Sequence, residues 1–190
     1  LFNGMQSSLS MVYDREMGSM KTMLVSPIPR WFLLCSKLFA GVFVSILQVY
    51  AFLLIASFWD IIPPVSGYFT ILPALIISGL MLGALGMFLS SAIKQLENFA
   101  GVMNFVIFPM FFASSALYPL WKIEETSEWL YLVCFYNPFT YAVESIRFSL
   151  YSQINFEYSA GIIIFTLIFL FLSIMGYDPS RGNLQKKGGK

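Results

Sequence analysis

The sequence has no histidine, only two cysteines, and charged side chains at just 11% of its 190 positions. An average soluble domain carries about 25% charged residues. Each shortage excludes something. Without histidine the usual general base and the commonest metal ligand are gone. Cys35 and Cys134 fall near opposite ends of separate apolar regions, so they read as small packing residues rather than a disulfide. With so few charges a water-soluble fold could not cover its own surface, which leaves an integral membrane protein. A net charge of +1 offers no basic face for nucleic acid.

What is present is long apolar sequence between sparse charges. Lys37 to Asp60, Asp60 to Lys94, Glu97 to Lys122 and Glu157 to Asp178 bound four charge-free windows. Each has room for the roughly 20 apolar residues that a helical span needs. A charge at mid-bilayer costs about 2.5–3.5 kcal/mol, so such windows do not arise casually. The spans are placed at Phe32–Phe58, Tyr68–Ile93, Phe99–Leu120 and Tyr158–Tyr177, with Pro63, Pro64 and Gly67 making the first turn. Leu1–Val12 is too short to cross and reads as the cytoplasmic end of a further span that begins before Leu1. Lys and Arg then set the orientation. Arg15, Lys21, Arg30, Lys37, Lys94, Arg181, Lys186, Lys187 and Lys190 fall on one side, and only Lys122 and Arg147 on the other. The positive-inside rule puts the larger group, and both chain ends, in the cytoplasm.

Between the first two apolar regions, Asp14, Arg15 and Glu16 precede Met17, Met20 and Leu24, which share one face of a short helix. Ser26-Pro27-Ile28-Pro29 stops it, because proline lacks a donor and restricts its predecessor. This amphipathic helix either docks into a cytoplasmic partner or rests on lipid. Gly79, Gly83 and Gly86 make a small-residue stripe that lets helices approach closely. Gln48 and Asn104 are the deepest amides and either bond between helices or line a solute path. Pro109 should kink the third span beside Phe108, Phe111 and Phe112, a possible gate or plain packing. Pro119 to Glu157 is too charged to span yet rich in aromatics. Thr126 or Ser127 is the expected cap of a short helix ending near Phe135, and Asn137-Pro138 breaks the chain. A second helix follows, with Phe139, Val143, Ile146 and Leu150 on one stripe and Glu144 near Arg147 on the opposite side. Both short helices are expected to dip into or lie on the outer leaflet. The spans hold no Asp or Glu, and no nucleophile stands beside a base.

Two runs carry a resemblance. Asp14-Arg15-Glu16-Met17-Gly18 followed by Ser26-Pro27-Ile28-Pro29-Arg30, and Asn137-Pro138-Phe139-Thr140-Tyr141 with Glu144 and Arg147, resemble the transmembrane subunit of ABC-2 type ABC transporters. The resemblance covers almost the whole chain. It implies an all-α, type V exporter-like transmembrane domain over 1–178, with four complete spans plus the end of a further one, and a cytoplasmic basic tail over 179–190. It implies that Asp14 to Pro27, including Gly18, Lys21 and Ser26, forms a coupling helix against an ABC ATPase subunit, with Lys94 and Glu97 in a smaller second contact. It implies a re-entrant outer hairpin marked by Pro119, Asn137, Pro138, Glu144 and Arg147, and a solute path near Gln48, Asn104, Phe108 and Phe112. The chain would bind no cofactor; ATP and magnesium would sit on the partner. A second permease copy and the bacterial inner membrane complete the expectation. More narrowly, LLCSKLFAGVFVSILQVYAF, QLENFAGVMNFVIFPMFF and GYDPSRG look like permeases encoded with pyrroloquinoline-quinone-dependent alcohol oxidation systems. That likeness implies export of a small solute linked to alcohol metabolism. A secondary transporter or channel fragment is the alternative, which would call for ionisable groups at mid-membrane. A membrane-bound enzyme is a further one.

Overall fold

The computed structural model describes residues 3, 9–10, 12–13, 17, 30–59, 63–93 and 96–176. Among them the chain is all helical. The order is α1 (Arg30–Ser57), α2 (Gly67–Ala92), α3 (Leu96–Phe112), α4 (Leu120–Thr126), α5 (Glu128–Phe135), α6 (Pro138–Leu150) and α7 (Phe156–Gly176). Asp14, Arg15, Glu16, Gly18, Met20, Lys21, Leu24, Ser26, Pro27 and Lys94 lie outside the described residues, as does the 179–190 tail.

Three stretches are long and apolar enough to cross a bilayer: Cys35–Ser57, Gly67–Ala92 and Phe156–Met175. They coincide with three of the expected spans, because an uninterrupted apolar window can satisfy its backbone only as a helix. The fourth expectation, Phe99–Leu120, is cut short. Helix α3 stops at Phe112, and its apolar stretch, Gly101–Phe112, falls below spanning length. Seventeen residues reach about 25 Å, short of a hydrocarbon core of about 30 Å. Beyond Phe112 the chain turns, and the cap residue of α6, Asn137, binds the Met110 and Ala113 carbonyls there.

Helix α2 is the centre of the bundle and is apolar on all sides, as a helix packed on several neighbours must be. It runs antiparallel to α1, with Val42 against Gly79, Leu38 against Gly83, and Leu53 with Ile71 and Leu75. The glycine stripe is therefore an α1–α2 seam within one chain. A Cβ at Gly83 would sit 2.6 Å from Leu38 Cδ2, and one at Gly79 would sit 3.1 Å from Val42 Cγ2. Helix α7 runs parallel to α2, with Ile162 beside Met81 and Leu82, and with Leu170 beside Met87 and Leu38. The start of α1 and the end of α7 thus occupy the same end of the bundle.

Helix α6 is antiparallel to α2. Thr70 Oγ1 donates to the Ser149 carbonyl at 2.6 Å, and Ala142 clusters with Met81 and Leu82. From Gly67 to Met81 is about 21 Å along α2 at 1.5 Å per residue. So α6 enters the bundle alongside the core helix instead of lying across its end. Its buried face is Thr140, Ala142, Glu144, Ser145 and Ser149, polar and small. This corrects the expected division into an apolar inner stripe and a Glu144–Arg147 outer side. Phe139, Val143, Ile146 and Leu150 are half-buried, and Glu144 is 5% exposed. The hydrophobic stripe assumed one packing partner, whereas α6 touches α2, α3, α5 and α7. Of the two expected cap residues, Ser127 holds the N-cap position of α5, which ends at Phe135 as expected, though without a side-chain cap bond; Thr126 ends the separate helix α4 and donates to the Lys122 carbonyl.

Candidate functional site

A polar cluster lies where α3 ends and α6 begins. A helix leaves its last four carbonyls without internal partners. Asn137 supplies the partner of one of them, Met110, and of the first carbonyl after Phe112 in the turn, Ala113. Its Nδ2 donates to the Met110 carbonyl at 2.7 Å and to the Ala113 carbonyl at 2.5 Å. Its Oδ1 accepts from the Phe139 N–H at 2.9 Å, which caps α6 with Pro138 at the first helical position. One buried amide therefore closes one helix and opens another, and a buried amide is costly unless so satisfied.

Two further residues of α6 hold the turn that follows α3. The Ser115 N–H donates to Thr140 Oγ1 at 3.3 Å, with both residues fully buried. Arg147 Nη2 donates to the Ser115 carbonyl at 3.0 Å, and its Nη1 donates to Glu144 Oε1 at 2.8 Å. Glu144 is thus a buried carboxylate with a partner one turn along, and Arg147 bridges it to the α3 turn. The hydroxyl of Ser115 is buried without a partner of its own.

Aromatic rings surround this cluster. Phe111 lies against Phe139 at 6.2 Å between centroids, and Tyr141 meets both Phe135 and Phe165. Gly161 of α7 makes room for Tyr141: a Cβ there would fall 2.3 Å from the Tyr141 ring.

The structure separates the expected solute-path residues. Asn104, Phe108 and Phe112 lie on exposed parts of α3, Phe108 and Phe112 stacking at 6.4 Å. Gln48 is on α1 and accepts from Asn3 Nδ2 at 2.5 Å, beside an open groove of about 380 Å³ that also meets Ser10, Lys37 and Gly41. No α3 residue lines that groove. Of the expected coupling residues, Met17 is exposed and its N–H donates to the Tyr13 carbonyl, a helical bond; Glu97 is in the first turn of α3. Of the hairpin residues, Pro119 precedes α4, and Asn137, Pro138, Glu144 and Arg147 come together. Ser115 and Thr140 complete the cluster without having been singled out as site residues. Two consecutive serines, Ser114 and Ser115, inside the third apolar window were the available signal.

The profile of the ABC-2 type transporter family matches residues 1–151. The chain belongs to that family. This ABC-2 permease chain is 29% identical over 172 residues to a protein of Cyanophora paradoxa named transport permease ycf38, covering 90% of this chain and 57% of the relative. It is 30% identical over 162 residues to the ycf38 protein of Porphyra purpurea, covering 84% and 54%. A protein of Escherichia coli strain K12 named multidrug ABC transporter permease YbhR is 30% identical over 138 residues, covering 70% of this chain and 35% of the relative. The chain spans about half the length of the ycf38 relatives and about a third of YbhR. No solved structure matches it. The family is that of the transmembrane subunits of ABC transporters, a transport part and not itself an enzyme.

Proposed function

We propose that this ABC-2 permease chain carries a solute across the bacterial inner membrane, powered by a separate ATPase subunit that binds ATP and magnesium. The match of residues 1–151 to the family carries the reading. Asp14 to Pro27 is the segment that docks on the ATPase, and Lys94 with Glu97 makes a second contact. Two permease copies form the pathway, with the face of α3 that bears Asn104, Phe108 and Phe112 turned toward it. Exposed aromatics beside an amide suit an amphipathic solute, and the multidrug name of the E. coli relative is consistent with that breadth. The direction is outward, and the likeness to permeases of alcohol-oxidation systems suggests a small alcohol-linked solute. Helices α4 to α6 act as a re-entrant outer hairpin. Helix α3 and the hairpin together carry the chain through the bilayer as the fourth span. The tail then lies on the cytoplasmic side with the segment before α1, in keeping with the shared end of α1 and α7.

The test is nucleotide-dependent crosslinking. A cysteine replacing Met20 in the full permease should crosslink to the co-expressed ATPase, with a yield that changes when ATP is added. Deletion of residues 17–23 should abolish co-purification of the ATPase while the permease still inserts. Retained ATPase binding in that deletion would reject the docking role.

A further inference from the structure

Four hydrogen bonds run from α6 to the last turn of α3 and the turn beyond it: two from Asn137, one accepted by Thr140, one from Arg147. All four engage backbone groups, so they grip the path of the chain instead of a single side chain. The middle of α3 is held differently. Val12, fully buried, packs with Met103, Ile107 and Leu85. Val12 lies two residues before Asp14, where the segment assigned to ATPase docking begins. One short helix therefore has an apolar contact at its middle to the residue two places before that segment, and a polar clasp to the hairpin at its last turn.

We propose that Asn137, Thr140 and Arg147 form a latch that makes α3 and the outer hairpin move as one body, so that displacement at Val12 is delivered to the α3–α4 turn. The proposal rests on the docking role given above for Asp14 to Pro27. Packing alone would let α3 slide against α6, since apolar contacts are non-directional. Hydrogen bonds to carbonyls with no other partner resist sliding, because breaking one strands a buried polar group. Packed side chains and hydrogen-bond networks between rigid elements carry coupling between distant sites, and the clasp is such a network. Asn137, Thr140 and Arg147 are positioning residues in this scheme. They contact no solute.

The reporter is a cysteine replacing Leu117, in the turn between α3 and α4 and 45% exposed. It is placed in the full permease with Cys35→Ala and Cys134→Ala, beside its ATPase. The readout is the rate of labelling by a membrane-impermeant maleimide, with the ATPase trapped in ATP or free of nucleotide. The parent should show a difference of about fivefold or more. Asn137→Asp keeps the helix cap and loses both donors to α3. Thr140→Val keeps the shape and loses the acceptor. Each should reduce the difference to less than about twofold, while Thr140→Ser should restore it. A Met20 cysteine crosslinked to the ATPase is measured in every variant. Crosslinking retained with the Leu117 response lost supports the latch. A full response in Asn137→Asp and Thr140→Val overturns it, as does a parent with no response despite normal crosslinking. Loss of crosslinking in the parent itself overturns the docking role, and the latch with it.

Discussion

At the scale of single residues, three glycines show how the surroundings set the cost of one added carbon. At Gly67 a Cβ would fall 2.0 Å from the Leu150 carbonyl oxygen, and backbone cannot step aside. Gly67→Ala should lower stability by about 3 kcal/mol, at the upper end of overpacking costs. At Gly83 the obstacle is the end of a leucine side chain, which can rotate, so Gly83→Ala should cost about 1 kcal/mol. At Gly101 nothing lies within 4 Å. Gly101→Ala should be neutral or stabilising by up to about 1 kcal/mol through helix propensity. Thermal melts of the purified permease in detergent should rank the three in that order. Glu144 and Arg147 should likewise be unequal. Arg147→Ala strands a carboxylate that is 5% exposed, whereas Glu144→Ala leaves a guanidinium that is 40% exposed. The arginine loss should be the worse of the two, approaching the roughly 3–5 kcal/mol of a broken buried pair. Cys134 is 1% exposed, so its labelling by a water-soluble maleimide should stay slow and become fast only on denaturation.

At the scale of elements, the outer ends of the helices are pinned by polar contacts, and their middles by shape. Tyr50 Oη donates to the Tyr68 carbonyl, Ser66 bonds Ser152, and Thr70 bonds the Ser149 carbonyl. Thr70→Val removes one such pin while keeping the side-chain shape. It should cost about 1 kcal/mol, read as a lower melting temperature, with assembly on the ATPase unchanged. The spans of α1, α2 and α7 were legible in the sequence because an apolar window has one helical solution in lipid and its charges mark where it must stop. Helix α3 was legible as a helix but not in length. Its end is bound by Asn137, a residue far along the chain that no local pattern links to Met110 or Ala113. The inner face of α6 was misread for a related reason. Apolar periodicity identifies a helix facing one neighbour, and α6 is enclosed by four.

At the scale of the whole molecule, the bundle is built around α2, with α1 and α7 at its sides and α6 threaded beside it from the same end at which α2 begins. Helices α1 and α7 remain largely exposed, as lipid-facing or partner-facing elements would be. The proposed orientation gives a direct check. Cysteines at Leu117 or Tyr118 should label from outside intact cells, and a cysteine at Met17 only after the membrane is opened. The reverse pattern would invert the topology and remove the transporter reading with it.

The sequence by itself determined the class. Too few charges for water and charge-free windows of spanning length leave a helical membrane protein, because insertion energetics act on local composition. The position of the glycine stripe, the end of α3 and the grip of α6 on the α3 turn were decided only in three dimensions. Each depends on which polar or bulky group a distant segment brings to a given carbonyl or Cα, and that is fixed by packing and not by periodicity.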